Sequence, residues 1–247
     1  MTVRFLHLFP KQLGLNGETG NLDCLVQRLS WAGIDSQVEV FDGSGSFPEQ
    51  IDAVFIGSGT LAGATAALET LAPHSSKLLS LVETGVPVLA LGLGWEILGK
   101  SITLTDGRVL QGAGVFPSRS IRTKERASAE CFGFDQAGTL TTGYANHSAN
   151  MELFEGASPL IELRAGYGNS STADAKQRSD EGLVSSNLMA ARLNGPLLPL
   201  NPHLADRFLE AVAKKSGFEY RQESKAASTA DGFASKAREE LKQRLSR

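Results

Sequence analysis

The chain has 247 residues, 41% of them hydrophobic and 21% charged, which supplies one sizeable core and excludes disordered and collagen-like classes. A formal net charge of −3 gives no field that would draw nucleic acid or an anionic membrane, so neither is expected as a partner. No run is long and apolar enough for membrane insertion, no signal peptide is evident, and Cys24 and Cys131 form neither a disulfide framework nor a zinc motif, so a cytoplasmic location is expected.

In chain order, Val3 to Phe9 reads as a strand stopped by Pro10, followed by the Gly- and Asn-rich loop Leu13 to Asn21. Asn21 is placed to cap a helix carrying Leu22, Leu25, Val26, Leu29 and Ala32 on one face and ending at Gly33. Gln37 to Phe41 and Ala53 to Ile56 read as short strands around the turn-forming Asp42 to Pro48. Gly57-Ser58-Gly59 follows the second of them, where an open parallel sheet carries its binding loops. Leu61 to Leu71 and Ser76 to Thr84 are helical pieces interrupted by Pro73, and Gly85 closes the second.

Val86 to Leu91 is apolar throughout, as a strand covered on both faces should be, and it runs into Gly92 and Gly94 before an amphipathic stretch to Gly99. A strand, a sharp turn and a helix make the corner on which α/β hydrolases mount a Ser or Cys nucleophile. Here the apex is glycine. Beyond it, Ile102 to Leu110 reads as a hairpin around Asp106-Gly107, and Arg119 to Lys124, Glu130 to Phe134, Thr141 to Tyr144 and Leu160 to Ala165 as further strands. Tyr167 to Glu181 is polar and reads as a surface loop, and Leu183 to Leu193 as a strand pair or a bent strand leading into Asn194-Gly195-Pro196. Asn201-Pro202 opens a helix with Leu204, Phe208, Leu209 and Val212 on its apolar stripe, closed by Gly217. From Arg221 on, seven Lys/Arg against four Asp/Glu give a basic tail. Its composition suits a solvated, partly disordered segment, while Phe233, Ala237, Leu241 and Leu245 at four-residue spacing leave a short amphipathic helix as the alternative. The chain thus divides at 1–219 and 220–247.

Several segments together resemble, in order and spacing, the class I glutamine amidotransferases of the cobyric acid synthase (CobB/CobQ-like) type. They are His7-Leu-Phe-Pro10, Gly17 and Gly20-Asn21, Phe55-Ile-Gly-Ser-Gly59, Pro87-Val-Leu-Ala90, Gly143-Tyr-Ala-Asn-His147, Gly166-Tyr-Gly-Asn169 and Gly195-Pro-Leu-Leu-Pro-x-Asn-Pro202. The chain is most similar to the GatD branch, small subunits of lipid II isoglutaminyl synthase, over about residues 1 to 217. The resemblance implies a flavodoxin-like α/β domain: a mostly parallel central sheet with helices on both faces plus extra β-hairpins. It also implies a MurT-like Mur ligase partner in a heterodimer that amidates the peptidoglycan stem; no cofactor is expected, and without Asp/Glu pairs at metal-ligand spacing no metal is expected.

Carried over residue by residue, the resemblance puts Gly92 at the nucleophile position and Asn194 at the position of the general base. Glycine has no side chain to attack an amide, and Asn cannot accept and return a proton near neutral pH. Gly57 and Gly59 match the loop that supplies an oxyanion-hole amide, Arg126 matches a glutamine-contacting arginine, and Leu93 follows the nucleophile position, where it fills part of the pocket. Asn146-His147 matches a pair without a base role, read as structural or interfacial, and Cys131 reads as a small core residue. Three functions stay open: a scaffold or regulatory subunit without glutaminase activity, a glutaminase rescued by other residues or by the partner, and a non-hydrolytic sensor of glutamine or a similar small carboxylate.

Overall fold

The computed structural model describes residues 1–170 and 180–247. Its first sheet is built from β1 (Thr2–Leu8), β2 (Asp35–Phe41), β3 (Ala53–Ile56), β4 (Val88–Leu91), β11 (Leu183–Ser185) and β12 (Leu188–Ala191). The strand order is β11-β12-β4-β3-β1-β2, parallel except for the edge strand β11. Alternate residues of these strands enter different cores, because successive side chains leave a strand on opposite faces. Leu6, Leu8, Val54, Ile56, Val88 and Ala90 pack with α2 (Leu61–Leu71) and α3 (Ser75–Glu83). Val3, Phe5, Ala53, Phe55, Leu89 and Leu91 pack with α1 (Thr19–Trp31) and α6 (Pro202–Ser216). Leu25 and Leu29 of α1 are fully buried, and each contributes roughly 1.5–3 kcal/mol of hydrophobic stabilisation. The expected α/β sheet with helices on both faces is thus present.

The remaining strands form a second, mostly antiparallel sheet in place of separate hairpins: β5 (Ser101–Thr103), β6 (Val109–Gln111), β7 (Ser118–Asp135), β8 (Leu140–Leu153), β9 (Ile161–Ala165), β10 (Asp180–Glu181) and β13 (Leu193–Asn194). The two strands expected over Arg119 to Lys124 and Glu130 to Phe134 are one, β7, paired with β8 along both halves and shifted in register between Arg122 and Ala127. The exposed Lys124-Glu125-Arg126 triplet bulges out where the ladder shifts register between Arg122 and Ala127. Arg126 lies within this bulge, and Arg122 is the last regularly paired residue before it. Of the loop expected over Tyr167 to Glu181, residues 171–179 lie outside the described residues, and its ends are not at the surface: Asn169 and Glu181 are buried.

Between β4 and β5 lies α4 (Leu93–Leu98), and α5 (Leu197–Leu200) precedes α6. Asn201 sits at the start of α6 with Pro202 at the first helical position, but its side chain bridges to the Thr142 backbone of β8 instead of capping the helix. Asn21 likewise does not cap. Helix α1 begins two residues earlier, and the buried Asn21 amide accepts from the Leu198 N–H at 2.8 Å and donates to Glu18. The basic tail takes its helical alternative: α7 (Lys225–Leu245) lies on the body. The expected apolar stripe is not its inner face, however. Phe233 is exposed, whereas Ala227, Ala234 and Arg238 are buried.

Glu18 is a buried carboxyl whose pKa burial pushes up to about 8 from a usual 4.5. The unfolded chain releases this proton near pH 4.5 and the folded chain keeps it to about pH 8, so stability falls as pH rises through that window. Glu18→Gln, uncharged at every pH, is expected to remove this slope. Its melting temperature should gain on that of the parent from about pH 5 to pH 8. Parallel pH profiles would contradict the assignment.

Candidate functional site

Strand β4 delivers Gly92 to the apex with φ 50° and ψ −121°, and α4 starts at the next residue. The Gly92 N–H donates to the Ala191 carbonyl, and the Gly94 N–H to that of Gly57. A Cβ on Gly94 would lie 2.3 Å from the Gly57 oxygen, so only glycine fits beneath the turn. The elbow's backbone is therefore intact. Its apex is filled from the side: a Cβ on Gly92 would lie 2.3 Å from Ser58 Oγ and 2.7 Å from Ser58 Cβ. Ser58 Oγ also accepts the Leu93 N–H at 3.1 Å. In an elbow, the amide after the nucleophile is an oxyanion donor. Here that donor is already engaged within the chain.

Around the elbow lies a cavity of ≈ 170 Å³ that brings together Gly59, Gly92, Leu93, Arg126, Asn146, His147 and Asn194 from β4, β7, β8, β13 and the glycine loop. Gly57 stands outside this lining, where a Cβ would lie 2.9 Å from Glu18 Cβ and closer still to the Leu13 carbonyl oxygen. At the exposed edge, Arg126 Nε and Nη2 both donate to Asn146 Oδ1, at 2.8 and 2.5 Å. The Asn194 amide donates to the Tyr144 and Arg192 carbonyls, which fixes it as a structural tie. His147 is only 9% exposed, and neither ring nitrogen has a hydrogen-bond partner. Burial, reinforced by the Arg192 charge, pushes its pKa down to about 2. A base that weak takes no proton from a thiol or water at neutral pH.

Among the lining residues that escaped the sequence reading are Ser58, Glu96, Arg122 and Arg192. Glu96 is 2% exposed, accepts from Ser120 Oγ at 2.6 Å and pairs with Arg122 Nη1 at 3.0 Å. Arg192 is also 2% exposed, and Nη1 and Nη2 donate to the Ala149 and Gly168 carbonyls at 2.6 and 2.7 Å. A signal for two of them was present. Glu96 and Arg192 are single charges inside otherwise apolar runs, Gly94 to Leu98 and Leu188 to Leu193, and a charge in a buried element needs a polar site.

The other nucleophile considered, Cys131, lies away from the cavity. It is fully buried beside the Ala129 and Tyr167 carbonyls, and burial pushes its thiol up to about 11. It packs as core. Among the described residues, no group of three or more His, Cys, Asp or Glu side chains is placed to hold a metal ion, and no helix is long and apolar enough to cross a membrane.

Comparison with known proteins agrees with this geometry. The chain is 27% identical over 216 residues to the lipid II isoglutaminyl synthase (glutamine-hydrolyzing) subunit GatD of Staphylococcus aureus, covering 87% of this chain and 86% of that protein. It is 23% identical to the same-named subunit of Streptococcus pneumoniae, covering 86% and 81%. A crystal structure of a glutamine amidotransferase superposes with a TM-score of 0.56 at 16% identity, over 84% of this chain and 98% of that one, and so shares the fold. The sequence pattern of the CobB/CobQ-like glutamine amidotransferase domain matches residues 14–201. With that match spanning most of its length, the chain belongs to the family of CobB/CobQ-like glutamine amidotransferase domains.

Proposed function

We propose that the chain is a GatD-type subunit of a lipid II isoglutaminyl synthase-like complex and that it brings no glutaminase activity of its own. Its partner is a MurT-like Mur ligase that amidates the peptidoglycan stem in the cytoplasm, with this chain as scaffold or regulator. Residues 1–219 serve as the amidotransferase-type body and 220–247 as an addition to it. The GatD relatives support the assembly. The observation that carries the loss of hydrolysis is Ser58, whose side chain occupies the space of a nucleophile at Gly92 and engages the Leu93 N–H. Asn194 compounds it, since an amide cannot serve as the base that activates a thiol.

The test is a pull-down of a MurT-like ligase on this chain, followed by amidation assays with free ammonia and with glutamine. Capture with ammonia-dependent activity alone is expected. Glutamine-driven amidation, or glutamate release well above a blank, would overturn the proposal.

A further inference from the structure

The cavity at the elbow is lined by more cationic than anionic side chains. Three guanidiniums, Arg122, Arg126 and Arg192, line it with one carboxylate, Glu96. Glu96 is spent on Arg122 and Ser120. Arg192 forms no direct ion pair among the described residues: its terminal nitrogens reach two neutral carbonyls, its Nε has no partner, and the Glu181 and Glu96 carboxylates act on it only through space. The nearby buried acid, Glu181, is turned to the Arg192 backbone N–H, at 2.6 Å, and not to the guanidinium. A buried guanidinium with no carboxylate in direct contact is costly, and an anion entering the cavity offsets that cost. Beside it, the ring of the nine-tenths buried His147 lies against the Gly168 and Ala149 carbonyls without a well-aligned hydrogen bond to either, and in its neutral form one ring nitrogen carries a proton to donate.

We propose that this centre binds a small doubly charged oxyanion without an ammonium group, a dicarboxylate or phosphate, held by Arg192 and His147 on the buried side and by Arg126 at the exposed edge. An amino acid fits the same lining poorly. Its ammonium would meet the guanidiniums, and no unspent carboxylate lines the cavity to receive it. Arg126 is preset for a second anionic group, because Asn146 fixes its Nε and Nη2 and leaves Nη1 for a ligand. The volume of ≈ 170 Å³ has room for several water-sized groups at once. The inference rests on the centre being non-hydrolytic, but not on a ligase partner.

Calorimetric titration of the full chain alone, at constant ionic strength, tests it with glutarate, inorganic phosphate and L-glutamine as probes. Glutarate and glutamine have carbon chains of equal length, and the ammonium and the side-chain amide set them apart. Saturable binding of glutarate, phosphate or both is expected, the stronger probe identifying the source, with glutamine at least about tenfold weaker. Arg126→Gln should weaken the bound dianion about tenfold or more while leaving the melting temperature unchanged. Arg192→Met should abolish binding, and Arg126→Gln keeps the test decisive if that variant does not fold. Absence of binding by both dianions, glutamine binding as tightly as glutarate, or an Arg126→Gln affinity equal to the parent's would each overturn the inference. These outcomes leave the amidation assays unaffected, so the two proposals fail separately.

Discussion

A Gly92→Cys variant is expected to release no glutamate from glutamine and to melt on the order of 10 °C below the parent. The new Cβ would sit 2.3 Å from Ser58 Oγ, and rotating that hydroxyl away would break its bond with the Leu93 N–H while leaving Ser58 Cβ at 2.7 Å. Overpacking of this kind costs about 1–3 kcal/mol. An L-residue at φ 50° costs about 1–2 kcal/mol more. The sum, roughly 2–5 kcal/mol, converts to a drop of that order for a chain of this size. Adding Ser58→Gly should recover the overpacking part. The double variant should still be inactive, since a thiol with a pKa near 8.5 needs a base and Asn194 is none. The triple variant with Asn194→His is the one expected to yield glutamate, assayed at high glutamine. Turnover by Gly92→Cys alone, or an unchanged melting temperature, would sink the account of Ser58.

The second large effect belongs to Arg28, 2% exposed on α1. Its Nε and Nη2 form a two-point pair with Asp206 of α6 at 2.7 and 2.6 Å, and Nη1 reaches Asp231 of α7 at 2.7 Å. Tyr220 donates to Asp206, and Gln222 to the Arg28 carbonyl, so the chain leading into α7 is tied to the same point. Burial opposes the guanidinium charge, but the hydrogen bonds to Asp231 and Asp206 more than offset it and raise the pKa above the usual Arg range. Arg28→Met keeps the bulk and removes the charge, leaving two carboxylates facing each other. Removing one partner of a buried pair costs about 3–5 kcal/mol, and partial exposure of both aspartates lowers this to about 2–4 kcal/mol. Chemical denaturation should show that loss, and amide exchange in residues 225–245 should rise sharply. Asp231→Asn should loosen α7 while leaving the melting of the body nearly unchanged. Exchange in α7 no faster than in the parent would show that its packing does not depend on Arg28.

The parallel sheet, its helices and the elbow were readable from the residues alone. Apolar runs such as Ala53 to Ile56 and Val86 to Leu91, with glycines at the turns, are local features, and local features are read directly. Gly92 and Asn194, which the resemblance puts at the nucleophile and base positions, were legible for the same reason, as single letters in recognisable motifs. Tertiary structure alone decided what stands in the vacancy. Ser58 meets Gly92 across 34 positions, Ser120 and Arg122 of β7 meet Glu96 on α4, and Glu181 turns its carboxylate to the Arg192 backbone N–H and not to the guanidinium. The same holds for α7. Its Phe233 spacing suggests one buried face, but Arg28, on a helix some 200 residues earlier, selects another by pairing with Asp231. Charge compensation and steric exclusion act between residues distant in sequence, so they exist only once the chain has folded.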